Sequence, residues 1–408
     1  MTFNKRITTA IATGAVLLQA LAPVALADTI TVTGNGAFSD NSVNLSTNTT
    51  TVVNQTNNAN VTNNVSSDAS TGGNSSSFNT GGDTRIVTGD ASSNVNVSTA
   101  VNLNKAELND CGCSASNLSV NVSGNGAYSE TQVNVTKDNL TSLSQYNDAY
   151  INNNIDAKAN TGKNDSSFNT GGASIIVTGD ASSNVTVDNK ANANLASIGG
   201  GSGNSNGNWV NITGNGYLSN NDVDLNSNST VVLTQRNSAE IYNDIYAKAN
   251  TGNNNSEFNT GGTTAILTGD ATTNVDVNNL VNFNKASVSC DCVLGDLGVK
   301  IGGNGADSYN DVSVDNADSL FNFQDNYANL YNDVYGKTKT GYNDVTFSTG
   351  SVHGDPIIST GDAWSSTDVS NAGNVNLLND GTSLHLPGNW ELGVSFNVND
   401  LWSFLHLI

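Results

Sequence analysis

The chain has 408 residues, of which 36 are acidic and 14 are Lys or Arg, and its formal net charge at pH 7 is −22. Such an acidic surface repels nucleic-acid phosphates and anionic lipid headgroups, so neither is expected as a partner, whereas divalent cations and neutral glycans remain as ligands. Only 12% of the residues are charged and 6% are aromatic, because Asn, Ser, Thr and Gly supply most of the polar surface.

The first 27 residues have the features of a secretory leader. Two basic residues precede an apolar run over residues 7–21, and Ala25-Leu26-Ala27 forms a small-residue cleavage site before Asp28. The run is too short and too interrupted to be a membrane anchor. We therefore expect a signal peptide over residues 1–27 and a secreted protein, extracellular or at the cell surface, with no membrane span in the mature chain.

The rest of the chain is a series of four repeats. A Gly-Asn-Gly turn returns at nearly constant steps of 90, 90 and 89 residues, beginning at Gly34, Gly124, Gly214 and Gly303. The repeats cover residues 28–117, 118–207, 208–296 and 297–378. The fourth is atypical, since it has three extra residues near His353 and loses its alternation after Val375. Terminal repeats often cap a stack, and we expect that role here.

Within each repeat, a Thr-Gly-Asp-Ala turn is followed by alternating apolar and polar residues. In the first repeat Val95 and Val97 alternate with Asn94 and Asn96. A period of two predicts a β-strand with one buried face and one polar face. Turn residues further divide each repeat into segments of about 22 residues, which we interpret as four solenoid coils stacked at ~4.8 Å.

The pattern predicts an all-β fold, a β-solenoid of four repeats of about 90 residues. The alternative is a row of immunoglobulin-like β-sandwiches, because about eight short strands per repeat would also fit that fold. Low aromatic content and only 3 prolines favour the solenoid, in which Asn ladders and uninterrupted strands replace a large aromatic core.

Two resemblances follow from particular motifs. The spacing of Gln55, Ala59 and Asn63, repeated in related form from Gln145 and Gln235, resembles the Gln/Asn-rich coils of curlin-type fibre subunits. Here Gln marks one predicted coil in four, whereas curlin coils carry Gln and Asn in every coil. The ANTGxN, FNTGG and TGDA motifs also resemble secreted Asn/Gly-rich repeat surface proteins of bacteria, and this resemblance implies a surface or matrix location without any chemistry.

The last thirty residues, 379–408, are apolar and differ in composition from the repeats. We interpret them as a cap over the final coil or as a docking segment for a neighbouring subunit or the export machinery. The candidate assembly residues are Trp402, Phe404, Leu405, Leu407 and Ile408.

Four cysteines form two Cys-x-Cys pairs, Cys111 with Cys113 and Cys290 with Cys292. With eight coils between them the pairs would lie ~38 Å apart, far beyond the ~7 Å Cα separation of a disulfide. Three arrangements remain: a disulfide within each pair, a disulfide to another chain, or a metal shared between chains. Redox catalysis is not expected, because the chain has no Cys-x-x-Cys motif.

The Asp of the Thr-Gly-Asp-Ala turn recurs in every repeat and is a weak calcium candidate. The four positions are Asp90, Asp180, Asp270 and Asp362. Calcium needs six to eight oxygen ligands, and one Asp per repeat supplies few of them. We favour a structural interpretation, in which each Asp caps its own turn, and we expect no other cofactor.

No pattern in the sequence predicts an enzyme. The three histidines lie in the atypical repeat and the tail without metal-binding spacing, and Arg85 and Arg236 are the only arginines after the leader. Rows of tyrosines could stack on sugars, although partly buried strand tyrosines are more common. These are Tyr150, Tyr242, Tyr246, Tyr331 and Tyr335.

These observations predict a secreted structural repeat protein of the cell surface or extracellular matrix that self-associates into filaments. The alternative is a surface adhesin that binds cell-surface glycans through its tyrosines.

Overall fold

The computed structural model describes residues 8–9, 12–13, 29–108, 118–199, 208–289, 297–349 and 356–379. The described residues form an all-β structure built from parallel sheets, and the expected β-solenoid of four repeats is confirmed. None of the described residues belongs to a helix that is long and apolar enough to cross a bilayer.

Each repeat contributes one strand to each of four sheets. In the first repeat the strands are β3 (Thr29–Thr33), β4 (Asp40–Ser70), β5 (Thr84–Val87) and β6 (Ala91–Leu108). In the second they are β7 (Ser119–Ser123), β8 (Glu130–Asn160), β9 (Ser174–Val177) and β10 (Ala181–Gly199). The third has β11 (Asn208–Thr213), β12 (Asn220–Asn250), β13 (Asn255–Glu257), β14 (Thr264–Leu267) and β15 (Ala271–Ser289). The fourth has β16 (Leu297–Gly302), β17 (Tyr309–Lys339), β18 (Asp344–Thr346), β19 (Ile357–Ser359) and β20 (Ala363–Asn379).

Four sheets of equivalent strands result, and we name each by its position. The long sheet contains β4, β8, β12 and β17, and the facing sheet contains β6, β10, β15 and β20. The entry sheet contains β3, β7, β11 and β16, and the short sheet contains β5, β9, β14 and β19. Strands β13 and β18 form a separate pair.

Every strand after the leader pairs with the equivalent strand of the next repeat, in parallel and in register. Ala181, for example, lies between Ala91 and Ala271. The strands that pair are therefore about 90 residues apart in the sequence, and each repeat forms a single flat layer, which we call a rung. Rungs 1 to 4 follow the order of the repeats.

The predicted size of the coil is wrong. We expected four coils of about 22 residues in each repeat, but one repeat makes only one circuit. At ~4.8 Å per rung the stack of four is ~19 Å thick, whereas a 31-residue strand such as β4 has a contour of ~100 Å. The molecule is a short stack of broad layers and not the long rod that sixteen coils would form.

The alternative of immunoglobulin-like sandwiches is also wrong. Such domains are built from antiparallel strands that pair within one repeat. Here the named strands pair in parallel between repeats.

Within one rung, the chain doubles back so that β6 lies face to face with β4. Ser67 meets Ser93 near one end of the contact, and Asn57 meets Asn104 near the other, so the two strands run in opposite directions. Their inward side chains form the core of the solenoid. The entry strand β3 packs in the same way against the start of β4.

The core alternates apolar clusters with polar columns. Val, Leu, Ile and Ala fill separate clusters along the rung, and between them Gln and Asn stack on identical residues in the next rung. Gln145 donates from Nε2 to Gln55 Oε1 at 2.7 Å, and Asn57 donates from Nδ2 to Asn147 Oδ1 at 3.0 Å. Most of these buried amides have a partner above or below them, as a polar core requires. Within the described residues a few buried Asn atoms, such as Asn102 Oδ1, have no hydrogen-bond partner.

Two short strands, β1 (Thr8–Thr9) and β2 (Ala12–Thr13), lie in the predicted leader and pair in parallel with the outer edge of β6. They cover only part of that 18-residue strand. Among the described strands, the 31-residue β4 pairs with β8 on one edge, and no strand pairs with its other edge.

Candidate functional site

The end of the stack at rung 4 exposes residues that are core residues in every other rung. Val314 is 44% exposed while its equivalent Leu225 in rung 3 is 2% exposed, and Ile358 is 47% exposed while Ile266 is fully buried. Other core positions of rung 4 that are similarly exposed are Val299, Ile301, Leu320 and Val369. Among the described residues, the apolar core columns therefore end in an exposed surface at rung 4, which we call the tail face.

The two ends of the stack differ. In rung 1 most core side chains remain buried, as for Val61 at 4% exposed, although Val43 and Leu45 are only partly buried and β4 has no strand on its outer side among the described residues. This head face therefore presents a strand edge, while the tail face presents a strand edge with exposed apolar side chains. An unpaired edge readily accepts another strand.

A stack of phenylalanine rings runs the full height of the molecule at one corner. Phe78, Phe168, Phe258 and Phe347 are spaced at 4.9 to 5.0 Å between ring centroids and lie within 11° of parallel. All four have positive φ, an uncommon conformation for a bulky residue. The first and last rings are 76% exposed and the inner ones 41% and 45%, so a free ring face remains at both ends of the stack.

The tyrosines singled out in the sequence lie together on the outer face of the long sheet. Tyr242 is 5.7 Å from Tyr150 and 6.2 Å from Tyr331 between ring centroids, and Tyr246 is stacked on Tyr335 at 5.4 Å. The two rung 4 rings are about half exposed. The side chains point away from the core, so burial does not account for them.

The number of aromatic residues on this outer face increases from rung 1 to rung 4. The positions equivalent to Tyr150, Tyr242 and Tyr246 are Asn60, Thr62 and Ser66 in rung 1. In rung 4 the same face carries Phe321, Phe323, Tyr327, Tyr331 and Tyr335, all at least half exposed. The outer surface is thus polar near the head face and aromatic near the tail face.

A column of lysines lies beside these tyrosines, and sequence reasoning missed it. Lys158, Lys248 and Lys337 are direct neighbours on β8, β12 and β17. The repeated tripeptides DAK, YAK and YGK at steps of 90 and 89 residues contain the signal that would have found them.

The calcium candidates form a column at another corner. The carboxylate of Asp90 accepts the backbone N–H of Asp180 at 2.9 Å, and the same bond recurs at 2.8 Å from Asp270 to Asp180 and from Asp362 to Asp270. The carboxylates of Asp90, Asp180 and Asp270 thus each join one rung to the next, which is a structural role other than the expected cap of the same turn. In the part of the chain that the structure describes, no three His, Cys, Asp or Glu side chains are grouped to hold a metal ion.

The remaining candidate residues lie outside the part of the chain that the structure describes. They are the cysteines Cys111, Cys113, Cys290 and Cys292 and the assembly residues Trp402, Phe404, Leu405, Leu407 and Ile408. The premise of eight coils between the cysteine pairs is nevertheless wrong. The strand ends that precede the pairs, at Leu108 and Val288, are two rungs apart, which corresponds to ~9.6 Å.

Comparisons of the chain with protein-family models, with curated proteins and with solved structures find no match.

Proposed function

We propose that this chain is a secreted structural repeat protein of the cell surface or extracellular matrix, and that it forms filaments by stacking the tail face of one molecule on the head face of the next. The observation that carries the proposal is the exposure of core positions in rung 4. Secretion rests on the leader predicted from the sequence.

A second copy of the chain suits the tail face because rung 1 repeats the residues that rung 4 presents. Asn332 would stack on Asn63, so this amide column would continue through the junction. The free face of Phe347 would meet the free face of Phe78. Continuation of the ladders would bury the exposed valine and isoleucine side chains, and burial of apolar surface drives association.

Gly341, at the tail face, allows the contact between stacked molecules to be tested without a change in the stability of the single molecule. A Cβ added at Gly162 would lie 2.0 Å from the carbonyl oxygen of Gly252 in the next rung, and one at Gly252 would lie 2.0 Å from that of Gly341. The Cβ of a Gly341→Ala variant meets nothing within 4 Å. In a stacked filament it would meet the backbone of Gly72 of the next molecule by the same geometry.

We expect the unsubstituted chain to form filaments with a regular axial repeat in electron micrographs, and Gly341→Ala to remain as single molecules with an unchanged melting temperature. Gly302→Ala is the matched control. Gly302 lies on the same tail face with open space around it, and its equivalent Thr213 carries a side chain inside the stack, so this variant should assemble normally.

The experiment should be made with and without residues 1–27, because β1 and β2 occupy part of the head face. Filaments of Gly341→Ala that equal those of the unsubstituted chain would refute the stacking contact. Failure of the unsubstituted chain to assemble in either form would refute the structural role.

A second candidate function, glycan binding at the surface, is favoured by the exposed tyrosines of the long sheet. Tyr242→Ala with Tyr246→Ala should abolish retention of the chain on immobilised glycans, while Tyr217→Ala, in a turn between β11 and β12, should leave retention unchanged. Equal retention of all three proteins would remove this candidate.

A further inference from the structure

Five lysines converge at the end of the long sheet. Lys158, Lys248 and Lys337 occupy adjacent strands at one register position, and Lys339 follows two residues later on β17. Lys163, in the turn after β8, is close enough to lower the pKa of Lys248 and Lys339. We call these five residues the lysine patch. The whole chain has 14 Lys and Arg, so a large share of its positive charge lies at one place on a molecule of net charge −22.

Most of this positive charge has no acidic partner. Lys158 forms an ion pair with Asp156 and lies near Asp68, and these are the acidic groups that act on it. Within the described residues, no ion pair is formed by Lys163, Lys248, Lys337 or Lys339.

The nearest acidic residues along the strands are too far away to compensate. Asp244 and Asp333 precede Lys248 and Lys337 by four residues, which is ~13 Å along a strand, and the tyrosine column lies between them. Burial, followed by the neighbouring lysines, lowers the pKa of Lys248 and of Lys339.

The fold does not require lysine at this register position, since rung 1 has Asp68 there. Like charges directly opposite each other on neighbouring strands are destabilising. The outer face of the long sheet also has acidic pairs, such as Asp222 with Asp311 and Asp244 with Asp333, but the lysine column extends over three strands. A bound anion would offset the repulsion.

Aromatic rings border the lysine patch and suggest the nature of the anion. Tyr246 and Tyr335 are two residues before Lys248 and Lys337 on the same outer face, and their rings are stacked within 11°. Tyr342, 83% exposed, lies with its ring centroid 3.7 Å from the Lys339 ammonium. Flat aromatic faces beside cations suit a ligand that has both an apolar ring face and negative charge.

We infer that the lysine patch and its bordering tyrosines bind an acidic polysaccharide, with the lysines contacting its carboxylates and the tyrosines stacking on its sugar rings. This inference deepens the second candidate function by naming the charge of the glycan, and it does not depend on filament formation. The observations favour a polysaccharide over a nucleic acid, because the dense phosphate charge of a nucleic acid would extend over the acidic surface beyond the patch.

The test is binding of the full chain to polygalacturonate, with neutral dextran, a single-stranded oligonucleotide and polyglutamate as comparison ligands. Lys248→Gln with Lys337→Gln should weaken polygalacturonate binding about tenfold or more, since charge-assisted contacts are lost. Lys285→Gln with Lys300→Gln is the matched control, because it removes two positive charges on other sheets. That control should bind polygalacturonate as the unsubstituted chain does.

Two further measurements separate binding from folding and sugar stacking from simple charge. Without ligand, the Lys248→Gln, Lys337→Gln variant should have a melting temperature equal to or higher than that of the unsubstituted chain, because two like charges have been removed. Tyr246→Leu with Tyr335→Leu should weaken binding of polygalacturonate but not of polyglutamate, which has no sugar rings.

The inference is overturned if the lysine variant binds polygalacturonate as tightly as the unsubstituted chain, or if the oligonucleotide binds more tightly at the same salt concentration. Equal binding of dextran and polygalacturonate would also overturn it, yet would keep the second candidate function. Binding of none of these ligands would refute both.

Discussion

At the scale of single residues, an asparagine in each rung changes which side of a strand faces the core. Asn102, Asn192, Asn282 and Asn374 have φ between 59° and 65°, a left-handed conformation that Asn tolerates better than most residues. Before Asn102 the odd-numbered residues of β6 face inward, and after it the even-numbered ones do. Its buried amide donates to the backbone carbonyl of Asp148 on the long sheet, and to Asn192 at 2.9 Å.

Two substitutions of Asn192 should separate the free energy lost with the amide hydrogen bonds from the free energy of strain at its positive φ. Both Asn192→Gly and Asn192→Ala lose the bonds from this amide to Ser238 and Asn282. We expect each to destabilise the chain by about 2 kcal/mol, and the alanine variant by about 1 kcal/mol more, because only alanine is strained at this φ. Urea unfolding measures the difference. Equal stability of the two variants would show that the backbone conformation is not strained.

The carboxyl group of Asp222, near the start of β12, should make the stability of the fold depend on pH. Burial, and then the neighbouring Asp224 and Asp311, raises the pKa of Asp222. A carboxyl group with a higher pKa in the folded state binds more protons there than when unfolded, so stability falls as the pH rises through that pKa, and the loss persists at neutral pH.

Asp222→Asn should therefore be more stable than the unsubstituted chain at pH 7, by a few tenths of a kcal/mol for a partly exposed group. The difference should shrink as the pH falls toward ~3.9, the ordinary carboxyl pKa. Glu240→Gln, on the same strand and with the same change in charge, is the control and should show no such gain, because its neighbours across the sheet are Tyr150 and Asn329. Thermal unfolding at several pH values measures both, and a pH-independent gain would contradict the electrostatic cause.

At the scale of strands and turns, the spacing between rungs restricts the turn after each long strand to glycine. Gly72, Gly162 and Gly252 each lie so close to the next rung that a Cβ would be 2.0 Å from a carbonyl oxygen. The equivalent Gly341 has open space, since the described residues include no fifth rung beyond it. The requirement for glycine therefore comes from the stack and not from the turn itself, since φ is not positive at these four positions.

Gly162→Ala should destabilise the chain by roughly 3 kcal/mol or prevent folding, because the backbone of two rungs would have to separate. Gly341→Ala makes the same chemical change at the same position of the repeat and should leave the unfolding midpoint of the single molecule unchanged. Chemical unfolding at low protein concentration compares them. A large loss of stability in both variants would mean that the turn conformation demands glycine.

At the scale of the whole molecule, stability should be shared between neighbouring rungs. In a stack, each rung contacts only the rungs above and below it, so removal of an inner rung removes one interface. Deletion of residues 118–207 would place rung 3 directly on rung 1 in the same register, since the repeats differ by a step of 90 residues.

We expect that deletion to fold cooperatively with a lower melting temperature. Deletion of residues 118–162, about half a repeat, is the control and should not fold, because β9 and β10 would still lie between rungs 1 and 3 while the strand β8 that separates β4 from β12 would be missing. Circular dichroism during heating compares the two. An unchanged melting temperature after deletion of the whole repeat would indicate independent domains and would contradict the stack.

The sequence alone determined the fold class, the period of the repeat and the face of most strand residues. Alternation assigned Val95 and Val97 to the core, and their burial confirms it. The sequence also singled out the tyrosines, but their position on one surface follows from the pairing of equivalent strands in the structure. A period of two depends only on the geometry of a single strand, and therefore it can be recognised without knowledge of its partner.

Only the tertiary structure decided how many residues complete one layer. Turns such as Gly34-Asn35-Gly36 are local, and the same turn could end a coil of 22 residues or reverse a layer of 90. The choice depends on which distant strands bond to each other, and parallel pairing leaves no local signal. The Gln columns were the available clue, since Gln55 recurs at the repeat spacing and in no shorter step. The tail face and the lysine patch depend on that same pairing, because they exist only when equivalent residues of successive repeats lie side by side.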